Sequence, residues 1–527
     1  MSLRTRGRGV GAAMVGGALL LVFAQSLVSA GCSSASTGGD AGRAVQGHVD
    51  ATSSWTVYHG NAIGSGVDTS GVTFNPPHAA WTSPTLDGQL FGEPLEATGR
   101  VFVATQNDTL YALAADNGGV LWSTHVGTPV PDVDLPCGDI SPQVGITGTP
   151  VVDAARGEVF AVADELISGS PAHILVGVNM YTGAVELEQP VDPPGSSPSH
   201  LLQRTGLNLD GGNVVWGFGG NSGDCEPYHG WIESVPEGGG PATYYDTTGS
   251  TSNGTQGAVW QGGAGPEVDA GGNIWAATGN GSSAAPYDGS DSVFELSSQL
   301  ALKQLFAPSD WSFDNSNDRD LGSAPPAFLG NGTLLEVGKS QTAFLLNQAN
   351  LGGIGGNLSS ISACGSSDSD GGHAVIGTVA YIPCGSGIEA VQTSPSLSVL
   401  WQTSGSIAGP PIWAGGFLWS ISGSSLFEID PSSGAVVGTF AIGAVSNHFP
   451  TPAVGDGLLL APISQQVVAF SGSAGLPGPP SPPPAAAPNS SYWRAAADGG
   501  IFNFGNAGFF GSAGSLHLNR PVVGIAP

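Results

Sequence analysis

From Trp55 onward, apolar and polar positions recur in a fixed order: a small residue and a proline, a short apolar run, a Gly-containing turn, then a second apolar run. The run Gly92-Glu-Pro-Leu-Glu-Ala-Thr-Gly-Arg-Val-Phe-Val-Ala shows the pattern, and copies begin at Gly148, Gly265, Pro325, Gly409 and Thr451. Apolar runs joined by so little chain pair as antiparallel hairpins. A third strand follows, and often an Asp or Asn with Gly that turns into a fourth, as in Leu110-Tyr-Ala-Leu-Ala-Ala-Asp-Asn-Gly-Gly-Val-Leu-Trp122. Second strands fall near Val101, Val159, Val214, Ile274, Leu334, Val379, Phe417 and Leu458. The last unit lacks a fourth strand after Phe470, whereas an early strand, Ala79-Ala-Trp-Thr-Ser, has no hairpin of its own. Joining the two closes a ring and removes its open edges. The pattern predicts an all-β chain: an eight-bladed β-propeller of four-stranded antiparallel blades over 53–472, with Trp122 or Trp401 sealing one blade against the next.

The flanks read differently. Residues 1–31 hold Arg4, Arg6 and Arg8 and then a mostly apolar stretch, Val10 to Val28, which is the pattern of an export signal. Either Ala30 ends the cleaved piece or Cys32 becomes the acylated first residue; Ala30-Gly31-Cys32 resembles a lipobox, with Ser29 where an aliphatic residue usually stands. Residues 32–52 are a Ser/Gly/Thr/Ala tether. A polyproline linker occupies 473–490. Residues 491–527 resemble a single copy of an aromatic/Gly repeat, Asp498-Gly-Gly-Ile-Phe-Asn-Phe-Gly, that occurs in tandem in secreted actinobacterial proteins, and imply a small C-terminal β repeat. The expected location is extracellular or at the cell surface, on the membrane only through a lipid at Cys32.

Composition narrows the function. There are 84 Gly and 39 Pro but only 10% charged residues, which argues against a helical enzyme. The net charge of −29 would repel nucleic-acid phosphates and anionic headgroups, so nucleic acid is excluded as a partner while divalent cations are not. A lipidated Cys32 would leave four cysteines; spacing allows three pairings, of which Cys137 with Cys225 and Cys364 with Cys384 are favoured, and no CxxC supports a metal site.

One stretch carries polar insertions that the other units lack. It runs Ala258-Val-Trp-Gln-Gly-Gly, Trp275-Ala-Ala-Thr-Gly-Asn-Gly-Ser, Asp310-Trp-Ser-Phe-Asp, Asp318-Arg-Asp-Leu-Gly-Ser-Ala-Pro and Val337-Gly-Lys. This order resembles the cofactor half of quinoprotein alcohol dehydrogenases, propellers that hold pyrroloquinoline quinone (PQQ) with Ca or a lanthanide. The resemblance implies Trp260 as the stacking ring, Lys339 as the base on the quinone oxygens, Asn280 as a metal ligand and Asp314 as the extra carboxylate of lanthanide-dependent members. The acidic metal ligand falls to Asp224 or Glu226. Where the family carries its proton-accepting Asp this chain has Ser312, leaving Asp310 or Asp314 as substitutes. A serine with no adjacent base cannot take the place of an ionised carboxylate, a group whose proton transfer contributes about 10²- to 10⁴-fold. The expectation is therefore an exported propeller with a degenerate quinone and metal site, acting as a binding or assembly module on an unknown protein or cell-wall partner. The alternative is a working PQQ dehydrogenase acting on an alcohol or sugar.

Overall fold

The computed structural model describes residues 54–225, 227–249, 254–283, 285–447 and 449–473, and the backbone of two further strands. Eight blades of four antiparallel strands are built in chain order, with a short fifth strand added to two of the sheets, Leu201–Leu202 in blade 3 and, in parallel, Gly353–Ile354 in blade 4. Blade 1 comprises Leu95–Ala97, Arg100–Thr105, Thr109–Ala114 and Val120–His125; blade 2 comprises Val151–Asp153, Glu158–Ile167, Ser170–Asn179 and Val185–Pro190. Blade 3 is Asn208–Asp210, Asn213–Gly220, Trp231–Pro236 and Thr243–Asp246, and blade 4 is Glu267–Val268, Ile274–Ala277, Val293–Leu296 and Leu302–Ala307. Blade 5 holds Ala327–Phe328, Thr333–Val337, Thr342–Asn347 and Ser359–Ser362; blade 6 holds Ala374–Ile376, Val379–Cys384, Gly387–Gln392 and Ser398–Gln402. Blade 7 is Ile412–Ala414, Phe417–Ser422, Ser425–Ile429 and Val436–Ala441.

Blade 8 closes the ring as the chain pattern predicted. Its own strands Ala453–Gly455, Leu458–Ile463 and Gln466–Ser471 are completed by His78–Thr82 from the start of the propeller, with His78 opposite Ser471 and Thr82 opposite Val468. The borrowed strand covers the edge that Gln466–Ser471 would otherwise leave open.

Local chemistry explains the hairpins. Thr98-Gly99 and Asp456-Gly457 turn between first and second strands with φ of +55° and +75°, and of +49° and +78°. Two successive positive φ values give the turn whose twist matches that of paired strands, and Gly or Asp tolerates it. First strands of neighbouring blades touch, Leu95–Ala97 meeting both Val151–Asp153 and Ala453–Gly455, so they surround the axis. Fourth strands alternate exposed and half-buried residues and form the rim.

The chain before blade 8's borrowed strand was not foreseen to have a separate task. Residues 55–66 form a strap along the end of the channel where strands one and two turn. Thr56 O accepts from Val152 N, Ala62 O from Val268 N, Ser65 O from Val375 N and Gly66 O from Trp413 N, which ties blades 2, 4, 6 and 7. Tyr58 and His59 stack at 4.4 Å inside this end; Tyr58 Oη accepts from Gly372 N, and Glu93 accepts from Trp55 Nε1 and His59 N. The channel is thus stopped at one end and open at the other.

Cys137 bonds Cys225, joining insertions 88 residues apart, and Cys364 bonds Cys384. Strands Tyr492–Ala495 and Ile501–Phe504 pair antiparallel within the C-terminal segment. The export signal, Cys32, the tether, the linker and Glu226 lie outside the described residues.

Candidate functional site

Turns between second and third strands, and the connections from one blade to the next, all end on the rim opposite the strap. There they surround a funnel of about 650 Å³ lined by Trp260, Lys339, Asp224, Asp318, Arg204 and Asp370, among others. Trp260, Lys339 and Asp224, singled out from sequence for different reasons, meet here.

Trp260 is half-buried on the wall, and its Nε1 donates to Gly220 O at 3.1 Å. A Cβ on Gly219 would sit 2.1 Å from that nitrogen, so the second strand of blade 3 must carry Gly there for the indole to lie against it. Trp275 went the other way: it is buried, packs edge-on against Phe328 at 5.7 Å and donates Nε1 to Asp269, as part of the blade 4–5 core.

Lys339 projects from the turn after Thr333–Val337 and forms an ion pair with buried Asp320; Asp318 Oδ2 is 3.9 Å away. Asp320 reaches it because the two neighbouring positions are glycine. A Cβ at Gly338 would come 2.3 Å from Asp320 O, and one at Gly279 2.4 Å from Asp320 Oδ1. Burial alone would lower the Lys339 pKa, but Asp320, then Asp318 and Asp370, outweigh it and hold the ammonium above its ordinary value. Asp370 is itself pushed up to about 6 by burial, against the pull of Lys339.

Asn280 lies one hydrogen bond behind the wall. Its Nδ2 donates to Asp318 Oδ1 at 2.9 Å and its backbone N to Asp320 Oδ1 at 2.8 Å, while its buried Oδ1 has no partner. Asp224 accepts from Tyr228 Oη at 2.7 Å, and burial raises its pKa. The stretch read as Asp310-Trp-Ser-Phe-Asp forms a short helix, Trp311–Asn315. Asp310 is exposed at its start, Asp314 is buried on its inner side, and neither lines the funnel, nor does Ser312.

Arg204 escaped the sequence reading. It is buried at the funnel base, donates Nη1 to Thr147 O at 3.0 Å and stands over the rings of Phe449 and Phe91 at 4.8 and 5.8 Å. A signal existed: the chain has only 12 Lys and Arg, so a basic residue between blades was worth marking.

Comparison with known proteins follows from this geometry. Residues 78–224 match the family model described as outer membrane protein assembly factor BamB. A search of curated protein sequences finds no match. A quinohemoprotein alcohol dehydrogenase from Comamonas testosteroni superposes with a TM-score of 0.61 at 14% identity, covering 82% of this chain and 83% of that one. A europium-containing methanol dehydrogenase gives 0.60 at 11% identity over 80% and 98%. This chain has the PQQ-like β-propeller fold.

Within that fold, the residues do not fit the cofactor and its metal. PQQ is a tricarboxylic acid, and among its described residues this funnel presents Asp139, Asp224, Asp318, Asp368 and Asp370 against Arg204 and Lys339. The lysine expected to meet the quinone oxygens is already paired to Asp320. Among the described residues, no three His, Cys, Asp or Glu side chains are arranged to hold a metal ion. Asn280 lies behind the funnel wall and not on it, and neither candidate base lines the funnel.

Proposed function

We propose that this chain is an exported β-propeller that works as a binding or assembly module outside the cell membrane, with the funnel as its binding face, rather than as a quinone-dependent dehydrogenase. One observation carries the reading: the funnel's lysine is committed to a carboxylate beneath it, in a wall where acids outnumber bases. A like-charged wall disfavours an anionic cofactor and favours a ligand that brings positive or neutral polar groups. The part of the chain that matches an assembly-factor model, 78–224, covers blades 1 and 2 and the first two strands of blade 3, and lends the same support. The basic start and apolar run of residues 1–31 support export, and acylation at Cys32 would hold the propeller at the membrane surface. The partner is a protein or cell-wall component.

Adding PQQ with calcium or a lanthanide to the purified protein tests this. The expected result is no change in quinone absorbance and no dye reduction with mixed alcohols or sugars. A stoichiometric absorbance shift with alcohol-dependent dye reduction would restore the dehydrogenase reading.

A further inference from the structure

Beside the funnel, on the same rim but further out, lies a separate pocket of about 340 Å³. Its outer wall is the connection from blade 2 to blade 3, Pro194 to Leu201; its inner wall is Pro227 to Trp231 with Asp246. Tyr228 divides it from the funnel, since its hydroxyl is given to Asp224 on the other side. Nothing in the quinoprotein resemblance points to these residues.

The walls are rigid. Leu201–Leu202 pairs with Gly219 and Gly220, Gly230 N donates to Gln256 O at 2.8 Å, and Thr247 Oγ1 donates to Gly230 O at 3.0 Å. Trp231 is half-buried and fixed by Tyr244, which meets it edge-on at 6.3 Å. Its indole therefore contributes a fixed apolar surface to the pocket.

The polar groups are mixed in kind. His229 Nδ1 is 3.0 Å from Asp246 Oδ1, which leaves its Nε2 uncommitted. Asp246 Oδ1 also accepts from Thr248 N at 3.0 Å, so Oδ2 is left to receive a further donor. His200 gives its Nδ1–H to Pro227 O at 3.0 Å, which makes Nε2 the acceptor of the neutral ring. Ser197, exposed at the mouth, supplies a hydroxyl of either sense.

Among the described residues, the one carboxylate lining the pocket, Asp246, is already bonded to a histidine. In a chain of net charge −29 the described lining of this pocket is locally balanced, with no Lys or Arg to neutralise a phosphate and no second acid to draw a cation. An aromatic face beside alternating donors and acceptors, enclosed in a pocket of ligand size, suits a ring with apolar C–H faces and hydroxyl edges. We propose that this pocket is a second binding site, independent of the funnel, for a neutral saccharide unit, with Trp231 as the stacking surface and Asp246, His229 and His200 as the hydroxyl partners.

Saturation-transfer NMR and calorimetry on the full chain with cellobiose, maltose and chitobiose test it. At least one sugar is expected to bind, with a Kd on the order of a millimolar. Ser197→Trp fills the pocket from an exposed loop position and abolishes the transfer; Asp246→Asn, which keeps the shape, weakens binding about tenfold, as expected for one lost charge-assisted hydrogen bond. Circular dichroism unchanged in both variants shows that the fold is kept. Absence of transfer from all three sugars, transfer that survives both variants, or inorganic phosphate binding in their place would each overturn the assignment.

Discussion

Two kinds of contact serve five of the seams between blades, and the two kinds lie on different parts of the ring. Where blade 8 meets 1, 1 meets 2 and 6 meets 7, a tryptophan on the outer strand lies over a glycine in the next blade's last turn. Trp81 Nε1 donates to Ala115 O at 2.8 Å, Trp122 to Met180 O at 3.1 Å and Trp401 to Pro431 O at 3.1 Å. Gly183, beneath Trp122, has φ of +72°, and a Cβ there would stand 2.8 Å from the indole. Where blade 2 meets 3 and 4 meets 5, glutamines take over. Gln189 accepts from Gly240 N and donates to Gly240 O, both at 2.8 Å; Gln304 donates to Gln348 O at 2.8 Å and accepts from Leu351 N at 2.7 Å. At these five seams the same outer-strand task is met by apolar burial in one arc and by paired backbone hydrogen bonds in the other, although Tyr245 on Phe294 at 5.3 Å makes the seam of blades 3 and 4 apolar as well. The arc with glutamine clamps, blades 3 to 5, supplies Asp224, Trp260, Asp318 and Lys339 to the funnel. Adhesion and polar display are thus kept largely apart.

Substitution at the seams can break that distinction. Trp122→Ala removes a large half-buried ring and leaves a gap over Gly183, and is expected to cost about 3 kcal/mol in urea unfolding. Gln304→Ala removes two hydrogen bonds to part-buried turn backbone and a third to the Glu295 carboxylate, and is expected to cost about 2 kcal/mol. Equal losses from the two variants would mean that the seams differ in appearance only.

Much of this architecture was legible because the information is local. Thr98-Gly99 and Asp456-Gly457 announce their turns by residue type, and Ala79 to Ser83 stood out as a strand without a partner. Trp122 and Trp401 are visible as blade seals because an aromatic ring on an outer strand needs cover. Gln189 and Gln304 gave no such signal, since a glutamine on a half-exposed strand looks like any other solvated residue. At the site, Trp260 and Lys339 could be marked by motif order, yet Asp318 and Asp320 looked equivalent in sequence. Their separation into an exposed and a buried carboxylate depends on how closely Gly279 and Gly338 let Asp320 approach, a contact between segments about 60 residues apart at its widest. The strap through Tyr58 and His59 was illegible for the same reason: its partners are spread over blades 1, 2, 4, 6 and 7.

The polar arc should also carry a stability cost that the tryptophan arc lacks, and Asp314 is the place to measure it. Its side chain is buried, Oδ1 has no partner, and its pKa is pushed up to about 6 by burial and then by Asp310, with Arg319 pulling the other way. A carboxyl whose folded pKa is raised binds its proton more tightly in the native state, so its contribution to stability falls as pH rises from about 4 to about 6 and is level above that. Asp314→Asn keeps the shape and removes the charge. It is expected to raise Tm by about 2 °C at pH 7.5 and to give no gain at pH 4, where the native carboxyl is already protonated. Calorimetry at the two pH values reads this directly. A variant less stable than the parent at pH 7.5 would mean that the ionised carboxylate has a favourable partner, and the funnel arc would then have to be described as charge-compensated instead of strained by charge.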